Sequence, residues 1–259
     1  MKITQWLPAW LVSLIKRCLG ISKNKIHSDW GILEEIKPMN SEHIVFDLGA
    51  RNGWFTECWL GWCPETKVYA FEAETHAARA LQSKYADDKR VRIEAVGVGA
   101  EAAELTFYRL KGSEVSSSFL EHDRDVWQSI QYEPGDVVKQ IAPVVSLDQY
   151  CTDQKIDNIY LIKIDIQGYE LEALKGARRT LDRVDHVLVE SAIKPLYKDA
   201  ATFTQVHDFM ASAGFHLINL RAWHRGNKVL IETDMLFRRN GLEPSIKADS
   251  VFDREYIGG

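Results

Sequence analysis

Short apolar runs alternate along the chain with segments of helical periodicity, a pattern that predicts a mostly parallel sheet wrapped by helices. The run 44–46 ends in Asp47, passes through a loop bearing Gly49 and Gly53, and enters an aromatic-rich segment, 54–61, read as a buried helix. Residues 67–72 predict a second strand ending in Glu72, followed by a helix over 77–85. Residues 91–98 read as one strand after a charged turn at 87–90, and 105–108 as an extra strand. A short strand and a helix start are expected at 144–150. The strand 159–164, apolar except for Lys163, closes on Asp165. Gly168 is expected to open a helix with Leu171, Leu174 and Ala177 on its apolar face, and a strand at 186–190 ends in Glu190. A helix at 203–213, Gly214, and strands at 215–220 and 235–238 complete the series.

Outside this core the pattern changes. Trp6, Leu7, Trp10, Leu11, Leu14, Ile15, Cys18 and Leu19 form a helical apolar stripe, with Lys16 and Arg17 at its far end. Two readings stay open: packing on this domain or a partner subunit, including a second copy of the chain, or peripheral membrane contact through residues 5–19. No small-residue cleavage site follows the stripe, and no apolar run reaches the roughly 18 residues of a spanning helix. Residues 22–42 are polar, with Trp30, Leu33 and Ile36 at helical spacing and Pro38 as a stop. The polar stretch 112–134, with Ser117, Ser118 and His122, reads equally as a substrate loop or a solvated insertion. The expected division is a helical extension over 1–42, an α/β domain over 43–240 and a tail over 241–259.

The 259-residue chain is long enough for one such domain with a sizeable core, and its net charge of −5 argues against nucleic acid as the principal ligand. Its 4 cysteines show no C-x-x-C pair, so zinc-ligand spacing is absent and a reduced, cytoplasmic setting is the default, with the membrane contact placing it on the inner face.

The chemistry sits at the strand ends. Asp47, Glu72, Asp165 and Glu190 each close a strand, and four acids on one sheet edge are tolerated around a cation, a proton or a donor-rich ligand. Gly49 and Gly53 would let the backbone approach that ligand. The loop reads D-x-G-x-x-x-G and lacks the third glycine of a dinucleotide site. Beside Asp47 a phosphate would be repelled, whereas a sulfonium or ammonium would be attracted. Glu72, about 25 residues after Asp47, is suited to a ribose diol, the alternative being a surface glutamate. Val96 is a candidate contact to a nucleobase. Lys163, inside an apolar strand, requires a neighbouring carboxylate.

Taken together, segments 46–53, 70–72, 145–148, 162–170 and 174–177, with Val189, Glu190 and 233–237, resemble the FkbM family of methyltransferases. The resemblance implies a class I, Rossmann-like fold with a mostly parallel seven-stranded sheet, and S-adenosylmethionine as donor. It also implies O-methylation of a sugar, glycan or natural-product hydroxyl. It assigns the donor to Asp47, Gly49, Ala50, Arg51, Gly53, Glu72, Ala73, Val96 and Asp165. Asp165 and Glu190 are the expected proton acceptors, with Lys163 or His122 as outsiders, and the same two acids would ligate a divalent metal if one is used. Two positions depart from the family pattern: Arg51 stands where a small or amide residue is common, and Gln167 where an acid is frequent. The rival readings are an NAD(P)-dependent oxidoreductase on a similar sheet and a non-catalytic cofactor-binding scaffold of glycan assembly.

Overall fold

A computed structural model describes residues 28–38, 42–111, 116–130, 135–225 and 229–242. The apolar stripe at 5–19 and the tail beyond 242 lie outside the described residues. The strands are β1 Ile44–Leu48, β2 Lys67–Phe71, β3 Val91–Glu94, β4 Gly97–Val98, β5 Ala103–Leu110, β6 Val137–Val145, β7 Ile159–Ile164, β8 Val184–Ala192, β9 Phe215–Arg225 and β10 Val229–Arg239. The helices are α1 Trp54–Trp62, α2 Thr75–Lys84, α3 Arg124–Ser129, α4 Leu147–Gln154, α5 Glu170–Lys175 and α6 Phe203–Ser212. A 3-10 helix, Ser28–Ile36, precedes them.

Seven strands form the main sheet in the order β3-β2-β1-β7-β8-β10-β9, so the expected mostly parallel seven-stranded sheet is present. The first five pair in parallel, and β10 runs antiparallel to both β8 and β9. From β1 the chain winds one way through β2 and β3; from β7 it winds the other way through β8. The β1–β7 boundary is therefore a topological switch point, and ligands of such sheets sit beyond the carboxyl ends of the strands there.

Alternation along each strand divides the core in two. Phe46, Leu48, Ile162, Ile164, Val187 and Val189 face α4, α5 and α6, and meet Leu147, Leu174, Val206 and Met210. Val45, Val68, Leu161 and Leu188 face the other way, onto Phe55, Trp59, Leu81 and the buried Ile32, Leu33 and Ile36 of the 3-10 helix. The same parity sends Asp47 and Lys163 toward α1. That helix opens at Gly53, which adopts a left-handed φ of 75°. Helix α6 opens on a reciprocal cap between Thr202 and Gln205.

Three elements differ from expectation. Residues 91–98 are two strands: β3 closes the main sheet, whereas β4 pairs with β6 in a separate sheet ordered β4-β6-β5. Strand β6 begins at Val137, well ahead of the expected short strand, because its pairing with β5 continues through the polar residues Lys139 and Gln140. Helix α5 begins at Glu170, two residues past Gly168, because Gln167 and Gly168 both take positive φ (58° and 96°) and turn the chain first.

Candidate active site

A cavity of about 240 Å³ opens at the switch point, and the tips of β1, β2, β7 and β8 all contribute to it. Gly49, Arg51, Glu72, Ala73, Val96, Asp165 and Glu190, all named from the sequence, lie on its wall. Gly49 takes φ 80°, and a Cβ there would stand 1.9 Å from the Asp165 carbonyl oxygen. Only glycine lets the β1 loop close on the tip of β7.

At the β2 tip, Glu72 is held by two amides: Oε2 accepts from Arg51 N (2.7 Å) and Oε1 from Glu74 N (2.8 Å). Burial pushes its carboxyl above the ordinary range, partly offset by those amides and by Lys163. Glu74 caps α2 by accepting from Ala77 N (2.7 Å). Opposite these acids the wall is apolar. Phe71, Val96, Val98, Phe107 and Phe119 line it, and the Phe119 ring crosses Gly97 so closely that a Cβ there would stand 2.4 Å away. The slot thus pairs a flat apolar face with a carboxylate edge.

Asp165 and Glu190 stand at the other end, joined by Gln167, whose Nε2 donates to Asp165 Oδ1 (2.9 Å) and Glu190 Oε2 (3.0 Å). Gln167 is in turn oriented by Tyr197, whose hydroxyl donates to its Oε1 (2.9 Å). An acid at position 167 would replace this bridging donor with a further carboxyl group. Burial, Asp165 and the nearby Glu232 and Asp234 raise the Glu190 carboxyl well above its ordinary value. Burial works against the Asp165 charge too, yet Lys163, the Gln167 amide and the Glu190 carboxyl hold its pKa below the ordinary range. The two shifts run in opposite directions, so within the pair the proton is favoured on Glu190 and the negative charge on Asp165.

Several sequence-assigned residues sit elsewhere. Asp47 lies beneath the cavity, fully buried, where Lys163 Nζ approaches Oδ1 at 3.2 Å and Thr56 Oγ1 donates to Oδ2 (2.7 Å). Ala50 is buried under the loop, its amide donating to the Phe71 carbonyl (3.0 Å). Gly53 faces α2, where a Cβ would stand 2.9 Å from the Tyr85 hydroxyl, so it serves packing and not ligand approach. Lys163, an outside candidate for accepting the proton, is held in its charged form. Burial would lower its pKa, but Asp47 and Asp165 raise it, and its ammonium also donates to the carbonyls of Leu48 (3.2 Å) and Gly49 (3.0 Å). The carboxylate that a buried lysine requires is thus supplied by Asp47, with Asp165 Oδ2 farther off at 3.7 Å. Glu190, the second expected proton acceptor, has its pKa raised by burial and by Asp165, which favours its protonated form. His122 lies away from this wall, packed on Trp127 and Tyr197 with Nε2 against the Ser116 carbonyl (2.8 Å). Among the described residues no group of three or more His, Cys, Asp and Glu side chains is arranged to hold a metal.

Sequence reasoning missed Phe71 and Phe107, which sit in strands, Phe119, which sits in the polar 112–134 stretch, and Asp234, which lies opposite Glu190 in the β8–β10 register. The stretch 112–134 carried part of the signal, since Ser117 lines the cavity and Ser118 Oγ donates to the Gln167 carbonyl (2.7 Å).

Strand order, switch point and acid-tipped crevice define a class I methyltransferase fold. The chain belongs to the FkbM methyltransferase family, whose domain model matches residues 47–217. It is similar to the 2-O-methyltransferase NoeI of Sinorhizobium fredii, at 22% identity over 77% of this chain and 80% of that protein. Among solved structures it resembles the N-methyltransferase NodS of Bradyrhizobium japonicum, solved with S-adenosyl-L-homocysteine (10% identity, TM-score 0.47, 81% of this chain and 84% of that one). It also resembles an rRNA methylase of Streptococcus thermophilus (16% identity, TM-score 0.45, 82% and 95% covered).

Proposed function

We propose that this protein binds S-adenosylmethionine in the switch-point cavity and methylates a hydroxyl of a sugar, glycan or related polyol. The observation that carries this reading is one cavity combining a flat apolar slot, a doubly anchored Glu72 and a single negative charge at Asp165. These features fit the donor part by part. The slot between Val96 and Phe119 suits a nucleobase, and the remaining lone pairs of Glu72 suit a ribose diol. The negative end suits a cationic sulfur. A pyrophosphate fits poorly, because Glu72, Glu74, Asp165 and Glu190 share this wall with Arg51 as its one basic side chain. That disfavours a nicotinamide dinucleotide.

When bound, the donor supplies an electrophilic methyl group on a positively charged sulfur. The chain's part is to hold the acceptor oxygen in line with that methyl and to keep water out. It must also receive the hydroxyl proton, and Asp165 is the group placed and ionised to do so. A weak base suffices, because the hydroxyl acidifies as its oxygen gains the methyl. Kinship with a 2-O-methyltransferase supports oxygen as the accepting atom.

The test is calorimetry with S-adenosylhomocysteine and, in parallel, NADH, followed by methyl-transfer assays on a panel of glycosides. Saturable binding of the first alone is expected. Glu72→Ala should weaken it by the roughly 1–3 kcal/mol of a lost charged hydrogen bond. Unchanged affinity in that variant, or preference for NADH, would sink the assignment.

A further inference from the structure

A second cavity, of about 210 Å³, lies on the α1 face of the sheet. Trp30 and Trp54 wall it on one side, with Leu188 and Asp234 on the other. Asp165 and Glu190 belong to both cavities, so the two meet at the carboxyl pair. An in-line transfer requires the acceptor to approach from the side of the methyl group opposite the sulfur. With the donor in the first cavity and its cationic end at Asp165, the second cavity adjoins the reacting end across the shared Asp165 and Glu190.

Its chemistry is selective. Trp54, the first residue of α1, is 41% exposed, although Phe55, Trp59 and Trp62 of the same helix are buried. Trp30 packs edge-on against Phe55 with ring centroids 5.1 Å apart, which fixes its position beside the opening. Indole faces pair well with the C–H face of a sugar ring, and carboxyl groups accept from or donate to its hydroxyls. An anionic acceptor is disfavoured by Asp165 and Asp234. Lys163 also lines the cavity, but its ammonium is already engaged by Asp47 and two backbone carbonyls and offers an anion little. The donor's own carboxylate is disfavoured there for the same reason.

We propose that this second cavity is the acceptor site. It holds one uncharged sugar ring against Trp54, with a hydroxyl directed at Asp165, and it discriminates against uronates and sugar phosphates. The proposal rests on the methyl-transfer reading above and names the place and the determinants of its acceptor.

The test uses the full chain, with and without S-adenosylhomocysteine, titrated with methyl glycosides of neutral hexoses, the matching uronates and hexose phosphates. Indole NMR signals are followed, and Trp54→Phe identifies that of residue 54. Neutral glycosides should shift the Trp54 signal saturably, and the charged analogues should bind at least about tenfold more weakly. Trp54→Ala should weaken glycoside binding about tenfold and leave the affinity for S-adenosylhomocysteine unchanged, with Trp54→Phe restoring most of the loss. A Trp54 signal unmoved by neutral glycosides overturns the proposal, as does tighter binding of a charged analogue. Loss of donor affinity in Trp54→Ala also overturns it, by putting the donor's tail in this cavity. Glycoside binding at Trp54 without methyl transfer would count against the reaction and leave the cavity assignment standing.

Discussion

Two carboxyl groups at one site do different work when their surroundings divide one proton between them. Asp165 has Lys163 at 3.7 Å and the Gln167 amide at 2.9 Å, and both favour its charge. Glu190 faces Asp234 and Glu232 as well as Asp165, and all three favour its proton. Asp165→Asn removes the proton acceptor, and kcat should fall by the roughly 10²–10⁴ of a lost general base. Glu190→Gln copies the protonated form and should retain most of the turnover. The sign of the pH dependence follows from the same shifts. The lowered pKa keeps Asp165 ionised to below the ordinary carboxylate range, whereas the raised pKa keeps Glu190 neutral to well above it. As pH rises through that value, the second charge appears, the pair repels and the base is misplaced. Wild-type kcat should therefore fall as pH rises through the Glu190 pKa, and Glu190→Gln should abolish that limb. An identical limb in the variant would give the proton to another group.

At the scale of elements, the β1 loop shows how two glycines of one motif differ. A Cβ at Gly49 meets the Asp165 backbone 1.9 Å away, and backbone cannot yield without separating β1 from β7. A Cβ at Gly53 meets the side chains of Tyr85 and Leu81 at 2.9–3.0 Å, and side chains can turn aside. Both also force alanine into positive φ. Gly49→Ala should cost at least about 3 kcal/mol by urea denaturation and Gly53→Ala about 1–2 kcal/mol, so equal costs would refute this reading of the loop. The strands and their acid tips were legible because buried parallel strands are short apolar runs closed by turn residues, whereas the seven-stranded sheet followed from the family resemblance. Direction was not legible. A residue's place in the run does not say whether its side chain meets the cavity or the layer beneath it. Asp47 and Glu72 are both strand-end acids, yet Asp47 points under α1 to Lys163 and Glu72 into the crevice. The second sheet escaped as well, because Lys139, Gln140 and Pro143 interrupt the apolar pattern of β6 and only its pairing with β5 reveals it.

At the scale of the molecule, the segment after β5 joins the outer layers to the site. Ser118 exchanges backbone hydrogen bonds with Tyr108 and donates its Oγ to the Gln167 carbonyl. Trp127 anchors the segment's far end, fully buried, with Nε1 donating to the Leu196 carbonyl (2.6 Å). Between these anchors Phe119 reaches back over Gly97 and packs on Phe107 and Tyr169, with ring centroids 5.0 and 5.4 Å away. The ring forms one wall of the slot assigned to the donor's base, while the fold's two main cores lie elsewhere. Truncating it should therefore reach binding more than folding. Phe119→Ala should weaken S-adenosylhomocysteine about tenfold by calorimetry, the stacking loss of one aromatic face. The urea midpoint should move little, because Trp127 and the Ser118 bonds still hold the segment. A large loss of stability with donor affinity intact would make Phe119 a core residue of the small sheet, and the nucleobase would have to be sought elsewhere along the crevice.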